Sequence, residues 1–279
     1  QGGGGEEGIV TTLLVETDGD ISGLVTQLGT AAADTLTGTS AADLIVAGAG
    51  NDTLVGNGGA DVLLGGAGDD VIQLIDANFA AIDGGLGNDT VVVVGAANFI
   101  QVIENTTVSG IENLLFGGVG AASVAFSAAD VRRVSDTGTF TVNNDDNDAL
   151  AVRDDTVQLK GAWDFIGSVV EGSSVFHQFQ QGATLLKAGV STLTSATDLN
   201  LDIKSNVTLG FAAATDSMSI SGRIDIIGTN TLTVNTGTLV IESGAFFNFG
   251  SGKVVVGSGT FINNGAMDGG ASPGAAAIF

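Results

Sequence analysis

Six aspartates, Asp34, Asp43, Asp52, Asp61, Asp70 and Asp89, are the residues of this 279-residue chain whose type and spacing point to chemistry. The first five recur every nine residues without a slip, in GTAAADTLT (29–37), GTSAADLIV (38–46), AGAGNDTLV (47–55), GNGGADVLL (56–64) and GGAGDDVIQ (65–73). A sixth copy, GGLGNDTVV at 84–92, follows an insertion of ten residues. Carboxylates are hard oxygen donors, and glycine turns let backbone carbonyls approach the same centre. The chemistry is divalent cation binding, and an all-oxygen shell suits Ca2+. A nonapeptide G-G-x-G-x-D-x-U-x, with U apolar, describes a parallel coil that closes around calcium.

Each nonapeptide divides into a six-residue turn and a three-residue strand. The strand places one apolar residue inside, in turn Leu36, Ile45, Leu54, Leu63, Ile72 and Val91. Two nonapeptides make one coil, so turns on the same side are eighteen residues apart. Ions are then expected between the turns of Asp34 and Asp52, Asp43 and Asp61, and Asp52 and Asp70. The expected donor set is Asp34, Asp43, Asp52, Asp61, Asp69, Asp70 and Asp89, with the turns of Gly48, Gly50, Gly59, Gly66, Gly68, Gly85 and Gly87. Without metal, carboxylates stacked at the strand spacing repel by roughly 1 to 4 kcal/mol per pair. Calcium binding and folding are therefore expected to be one event. The first two copies have Ala32 and Ala41 where later ones have glycine. They are expected to be capping coils with weak or missing sites.

These repeats resemble the RTX family of secreted bacterial proteins over about 29–92. The resemblance implies a parallel β-roll, type I secretion from a Gram-negative bacterium, and folding on meeting extracellular calcium.

Composition narrows the partners. The chain carries 31 acids against 8 bases, and residues 1–131 hold 17 acids and no Lys or Arg. Nucleic acid and anionic membranes are poor partners for such a surface, and cations are good ones. There is no cysteine, so rigidity must come from packing or metal. Forty-four glycines with many Val, Ile and Thr predict short strands joined by tight turns. The longest apolar stretch, 114–129, is too short and too rich in small residues to span a bilayer.

The fold class read from the sequence is all-β, in four parts. Residues 1–28 form an N-terminal strand and assembly segment, with TDGD at 17–20 a turn. Residues 29–92 form the β-roll, and 93–198 a β-rich domain. Residues 199–279 form a β-solenoid and tail. The pattern V-x-G-I-E-N-L-L, holding Glu112, with Glu104 upstream, resembles the segment that follows RTX repeats. Ser127 and Asp130 predict a capping box on a helical turn at 127–134. The stretch 124–193 resembles an accessory β-domain of RTX adhesins, with Phe176 and Phe179 where tyrosines are usual. Its strands are expected at 139–142, 157–160, 169–171, 174–179 and 183–187, with Trp163 a core plug. Asp145, Asp146 and Asp148 read as a solvated loop rather than an ion site. From 199 onward, LNLDI, VTLGF, SMSIS, RIDII, TLTVN, TLVIE, FFNFG, KVVVG and TFINN are short strands spaced for coils of two or three. They resemble the passenger-type β-helices of bacterial surface proteins. Phe246, Phe247 and Phe249 are expected to form a core ladder. A β-sandwich of short strands is the alternative.

No catalytic constellation holds. GASPG at 270–274 lacks the strand–turn–helix setting of a nucleophile elbow, and the lone histidine, His177, precedes it. His177 reads as a packed or surface residue. One histidine and no cysteine leave little for zinc. Paired carboxylates for glycoside chemistry could hide among the acids, but a polysaccharide groove would want more basic and aromatic residues. The expected function is structural rather than enzymatic. It is an extracellular calcium-dependent protein that self-assembles into a surface layer, filament or matrix, with 9–15 or 275–279 as strand donors. The expected partners are calcium, further copies of the chain and polysaccharide, without nucleic acid or membrane insertion. The alternative is a calcium-stiffened adhesin or binding module for glycan, host surface or ice, the Thr-rich TLTVNTGTL at 231–239 pointing to the last.

Overall fold

Alternating apolar residues on short glycine-bounded strands can bury only one face. Stacking such strands in parallel coils gives that face a continuous core. The computed structural model describes residues 25–76, 78–94, 107–117, 123–144, 156–172, 174–190 and 192–268. The segments 9–15, 17–20, 145–148, 270–274 and 275–279, and Glu104, lie outside the described residues.

The repeats form two facing parallel sheets. One contains β1 (Val25–Leu28), β3 (Asp43–Ala49), β5 (Asp61–Ala67), β7 (Phe79–Leu86) and β9 (Val108–Ser109). The other begins with β2 (Thr35–Thr37), β4 (Thr53–Val55), β6 (Val71–Leu74), β8 (Thr90–Val93) and β10 (Asn113–Phe116). Leu36 aligns with Leu54 and Ile72, and Ile45 with Leu63, in the eighteen-residue register expected. Ile45, Leu54, Leu63 and Ile72 are fully buried, and Leu36 is partly so. The three-residue strand holds for β2 and β4, whereas β3 and β5 run seven residues, from the aspartate into the next turn.

Residues 74–76 and 78–83 are not an insertion outside the roll. They supply part of an ordinary half-coil whose strand is β7, with one extra residue taken up where Asp61 pairs with Phe79 but Val62 pairs with Ala81. The register then moves to nineteen residues, with Ile72 aligned on Val91. A β-bulge absorbs a single residue without breaking the ladder.

The second sheet does not end with the repeats. It continues through β12 (Thr139–Asn144), β16 (Thr184–Gly189), β15 (Ser174–Gln181), β14 (Ala162–Glu171), β18 (Asn200–Ile203), β21 (Arg223–Ile226), β24 (Phe246–Asn248) and β27 (Ala266–Asp268), thirteen strands in all. Among the described residues only the β14–β15 and β15–β16 pairings are antiparallel. A third sheet holds β11 (Ser123–Phe126), β13 (Thr156–Leu159), β17 (Thr192–Ser195), β20 (Ser217–Ile220), β23 (Thr238–Ile241) and β26 (Thr260–Asn263). A fourth holds β19 (Val207–Gly210), β22 (Thr231–Thr236) and β25 (Lys253–Val256). Successive coils after residue 199 therefore have three sides, as a β-solenoid requires.

Inside the solenoid Leu201, Ile224 and Phe247 stack in register. Phe247 is fully buried and lies 4.4 Å from Phe249 and 5.7 Å from Phe261, centroid to centroid. Phe246 departs from the expected core ladder. It alternates outward on β24, and the Arg223 guanidinium covers its ring at 4.8 Å. Between roll and solenoid, Trp163, Phe126, Phe140, Phe165 and Phe179 fill the core. The single helix among the described residues, α1 (Ala128–Val134), carries the expected capping box. Ser127 Oγ accepts from Asp130 N at 3.3 Å, and the Asp130 carboxylate accepts from Ser127 N at 2.8 Å. His177 is packed, 4.3 Å from the Phe211 ring, with Nδ1 2.8 Å from Ser168 Oγ. Burial holds its pKa down to about 4.

Candidate metal centre

The coil stacking places each repeat aspartate over the next of its row. Asp34 N donates to Asp52 Oδ1 at 2.7 Å, Asp52 N to Asp70 Oδ1 at 2.7 Å, and Asp70 N to Asp89 Oδ1 at 2.8 Å. On the other side Asp43 N donates to Asp61 Oδ1 at 2.9 Å. Each amide thus fixes one oxygen of a carboxylate and orients the other. Asp43, Asp52, Asp61, Asp70 and Asp89 are all at most 2% exposed. Asp52 Oδ2, Asp70 Oδ2, Asp89 Oδ2 and Asp43 Oδ1 are buried without a hydrogen-bond partner. Buried polar atoms are nearly always satisfied, so four orphan carboxylate oxygens on one ladder system call for a cation.

The glycines shape the space in front of these oxygens. Gly48, Gly50, Gly59, Gly66, Gly68, Gly85 and Gly87 all have positive φ. A Cβ on Gly66 would stand 2.0 Å from Gly48 O, and one on Gly68 2.2 Å from Gly50 O. A Cβ on Gly65 would stand 2.3 Å from Asp70 Oδ2 and 2.6 Å from Gly84 O. The turns therefore bring carbonyl and carboxylate oxygens together in a cradle that a side chain would fill. Such a donor set, oxygen only and part backbone, fits Ca2+. No group of three or more His, Cys, Asp or Glu side chains converges among the described residues. Nothing of that kind is needed where carbonyls complete the shell.

Electrostatics agree with the geometry. Burial, and then the neighbouring acids, raise the pKa of Asp61 and Asp70 above the ordinary carboxylate value and push Asp89 up to about 6. Anions forced together in a dry ladder hold protons tightly, and a divalent ion between them reverses the sign.

The first two copies differ from the later ones in carrying a threonine at the second turn position, Thr30 and Thr39. Asp34 Oδ2 accepts from Thr30 N at 2.6 Å and Thr30 Oγ1 at 2.8 Å, and Asp43 Oδ2 accepts from Thr39 N at 2.5 Å and Thr39 Oγ1 at 3.1 Å. The threonine satisfies these two Oδ2 atoms from within the chain, while Asp43 Oδ1 keeps no partner. Asp69 lies outside the buried row. It is exposed, accepts from Asn88 N at 2.9 Å, and donates its own amide to Asn51 Oδ1 at 3.0 Å, in an outer ladder of Asn and Asp. One residue of the row was missed as a candidate ligand. Glu112, 6% exposed, accepts from Asp89 N at 3.1 Å through Oε2 and so takes the next place after Asp89. The V-x-G-I-E-N-L-L pattern was its only signal, because the nonapeptide period has lapsed by then.

Residues 28–63 and 37–72 match the family model of the RTX calcium-binding nonapeptide repeat, the two stretches offset by one repeat. No curated protein and no solved structure matches the chain. Proteins built on these repeats bind calcium and are of extracellular type. No helix of the described residues is long and apolar enough to cross a membrane. The sequence match, the orphan oxygens of Asp43, Asp52 and Asp70 and the glycine cradle coincide on the same coils, and residues 28–72 accordingly carry calcium-binding nonapeptide repeats of the RTX type.

Proposed function

We propose that this chain is an extracellular structural protein that folds on calcium and self-assembles into a bacterial surface layer, filament or matrix. The observation that carries the reading is the thirteen-strand sheet running from the metal-cradle coils to the last solenoid coil. At the usual strand spacing it extends roughly 55 Å. Calcium at one end of such a sheet sets the order of a long scaffold rather than of a catalytic pocket. Among the described residues β1 and β2 at one end, and β25, β26 and β27 at the other, are paired on one side only. Unpaired edges support strand addition between copies, with 9–15 or 275–279 as donor. The test is electron microscopy of the purified protein in millimolar calcium and after chelation. Sheets or fibres that vanish on chelation support the reading, and discrete particles in both conditions overturn it.

A second reading, a calcium-stiffened binding module, is favoured by one face. On the third sheet Thr156, Thr192, Ser217, Thr238 and Thr260 align in register along the outside. The neighbouring row is Gln158, Thr194, Ser219, Val240 and Ile262. Neither row holds a charge, on a chain of net charge −23. Regular uncharged hydroxyls suit a neutral, repetitive surface such as glycan or ice. Retention of monomer on ice or insoluble polysaccharide, lost in Thr192→Asp, would favour this reading over assembly.

A further inference from the structure

The row of cradles continues past the last nonapeptide. A Cβ on Gly38 would meet Asp43 Oδ2 and Gly56 O, both at 2.6 Å, and one on Gly65 would meet Asp70 Oδ2 and Gly84 O. The same construction on Gly84 meets Gly110 O at 2.0 Å and the Asp89 carboxyl carbon at 2.7 Å. Gly110 O therefore occupies the place that Gly56 O and Gly84 O hold in the preceding cradles. Yet Gly110 is outside the nonapeptide copies, in a turn of only three residues between β9 and β10. Two residues on, Glu112 takes the position of the repeat aspartate. The turn is shorter than a nonapeptide turn, and the extra methylene of Glu lets its carboxylate still reach Asp89 N.

Hydrogen bonding alone does not account for this cluster. Asp89 is fully buried and its Oδ2 has no partner. Glu112 Oε1 faces Ser135 Oγ at 3.3 Å, but that hydroxyl has one hydrogen and lies closer to Thr139 O, at 2.8 Å. Two buried carboxylates thus meet with one oxygen unsatisfied, a second weakly satisfied and a carbonyl alongside. We propose that Asp89, Gly110 O and Glu112 hold a further calcium ion, beyond the nonapeptide sites and at the junction with the following coils. Ser135, the C-cap of α1, ties that ion to the first helix and to β12.

This inference rests on the roll binding calcium, and the test separates the two. The bound ions are counted by native mass spectrometry of the full chain in calcium, with calorimetry for affinity. Wild type carrying no calcium would overturn the calcium reading as a whole. Glu112→Gln keeps an acceptor for Asp89 N, and one ion fewer than wild type with the other ions retained supports the proposal. An unchanged count and unchanged affinities overturn it while leaving the nonapeptide sites standing. Glu112→Asp covers the case in which the glutamine variant fails to fold. The shorter arm should weaken one site about tenfold, and wild-type affinity at every site would overturn the proposal.

Discussion

Two buried-acid arrangements in this molecule solve the same problem in opposite ways. In the solenoid, Asp225 is 5% exposed, and it carries its own cation. Arg223 pairs with it through two guanidinium nitrogens, Nη2 at 2.7 Å, and Asn248 Nδ2 donates at 2.8 Å. Burial pushes that carboxyl up, but the guanidinium and amide outweigh it and the net pKa is lowered. In the roll, Asp52, Asp70 and Asp89 are more deeply buried and no Lys or Arg precedes residue 132. Their pKa shifts, where resolved, run upward. One region brings its counter-charge in the chain, and the other must take it from solution. Folding of the first is a matter of packing, whereas folding of the second is a reading of the surroundings.

Chelation should break the comparison open most widely. In hydrogen exchange with EDTA, amides of β3 to β8 are expected to lose protection, while β18 to β26 keep it. Loss in both regions together would mean that the shared sheet couples them into one cooperative unit. Glycine substitution sharpens the contrast at single residues. Gly66→Ala meets the Gly48 carbonyl at 2.0 Å with φ +113 and should abolish both calcium binding and the folded roll. Gly244→Ala, at φ +92 with nothing within 4 Å, should cost only about 1–2 kcal/mol in thermal melts.

Phe247→Ala attacks the solenoid instead. Removing a fully buried ring should cost about 3–5 kcal/mol in denaturant unfolding, with the calcium count unchanged. A changed count would show that the solenoid core sets the metal sites.

Acid should act with opposite signs on the metal-free chain. Asp89 binds its proton more tightly folded, at about 6, than unfolded, so the metal-free roll gains stability as pH falls through 6 toward the unfolded carboxylate range. Calcium competes with that proton, so its affinity should drop over the same range. His177 binds its proton less tightly folded, at about 4, than unfolded, near 6.5. Its neutral burial contributes fully above 6.5, and about 3 kcal/mol is lost as pH falls from 6.5 to 4. Site-resolved histidine titration checks the second sign, and calcium titration between pH 5 and 7 checks the first. A proton taken up by His177 near 6.5 in the folded chain would refute the buried assignment.

Much of this was legible because the period was regular. A nine-residue repeat forces Asp34 over Asp52 and Leu36 over Leu54 whatever else the chain does. The capping box at Ser127 and Asp130 and the strands from 200 to 263 were readable too, since their signals are local. Residues 74–83 were misread because one extra residue and a missing aspartate hide a half-coil that the bulge at Asp61 and Val62 preserves. Phe246 was misplaced because FFNF offers apolar residues to both faces of the strand, and pairing on β21 decides which face is inside.

By itself the sequence determined the parallel coil, its period, its apolar interior and its need for a cation, because each follows from spacing and charge along the chain. Tertiary structure alone decided that roll and solenoid share one sheet, through the reversed order β16–β15–β14 between β12 and β18. It also decided that Glu112 succeeds Asp89 across 23 residues. The physical reason is that pairing between distant strands is chosen by the packing of the whole core, and nothing in the local period records that choice.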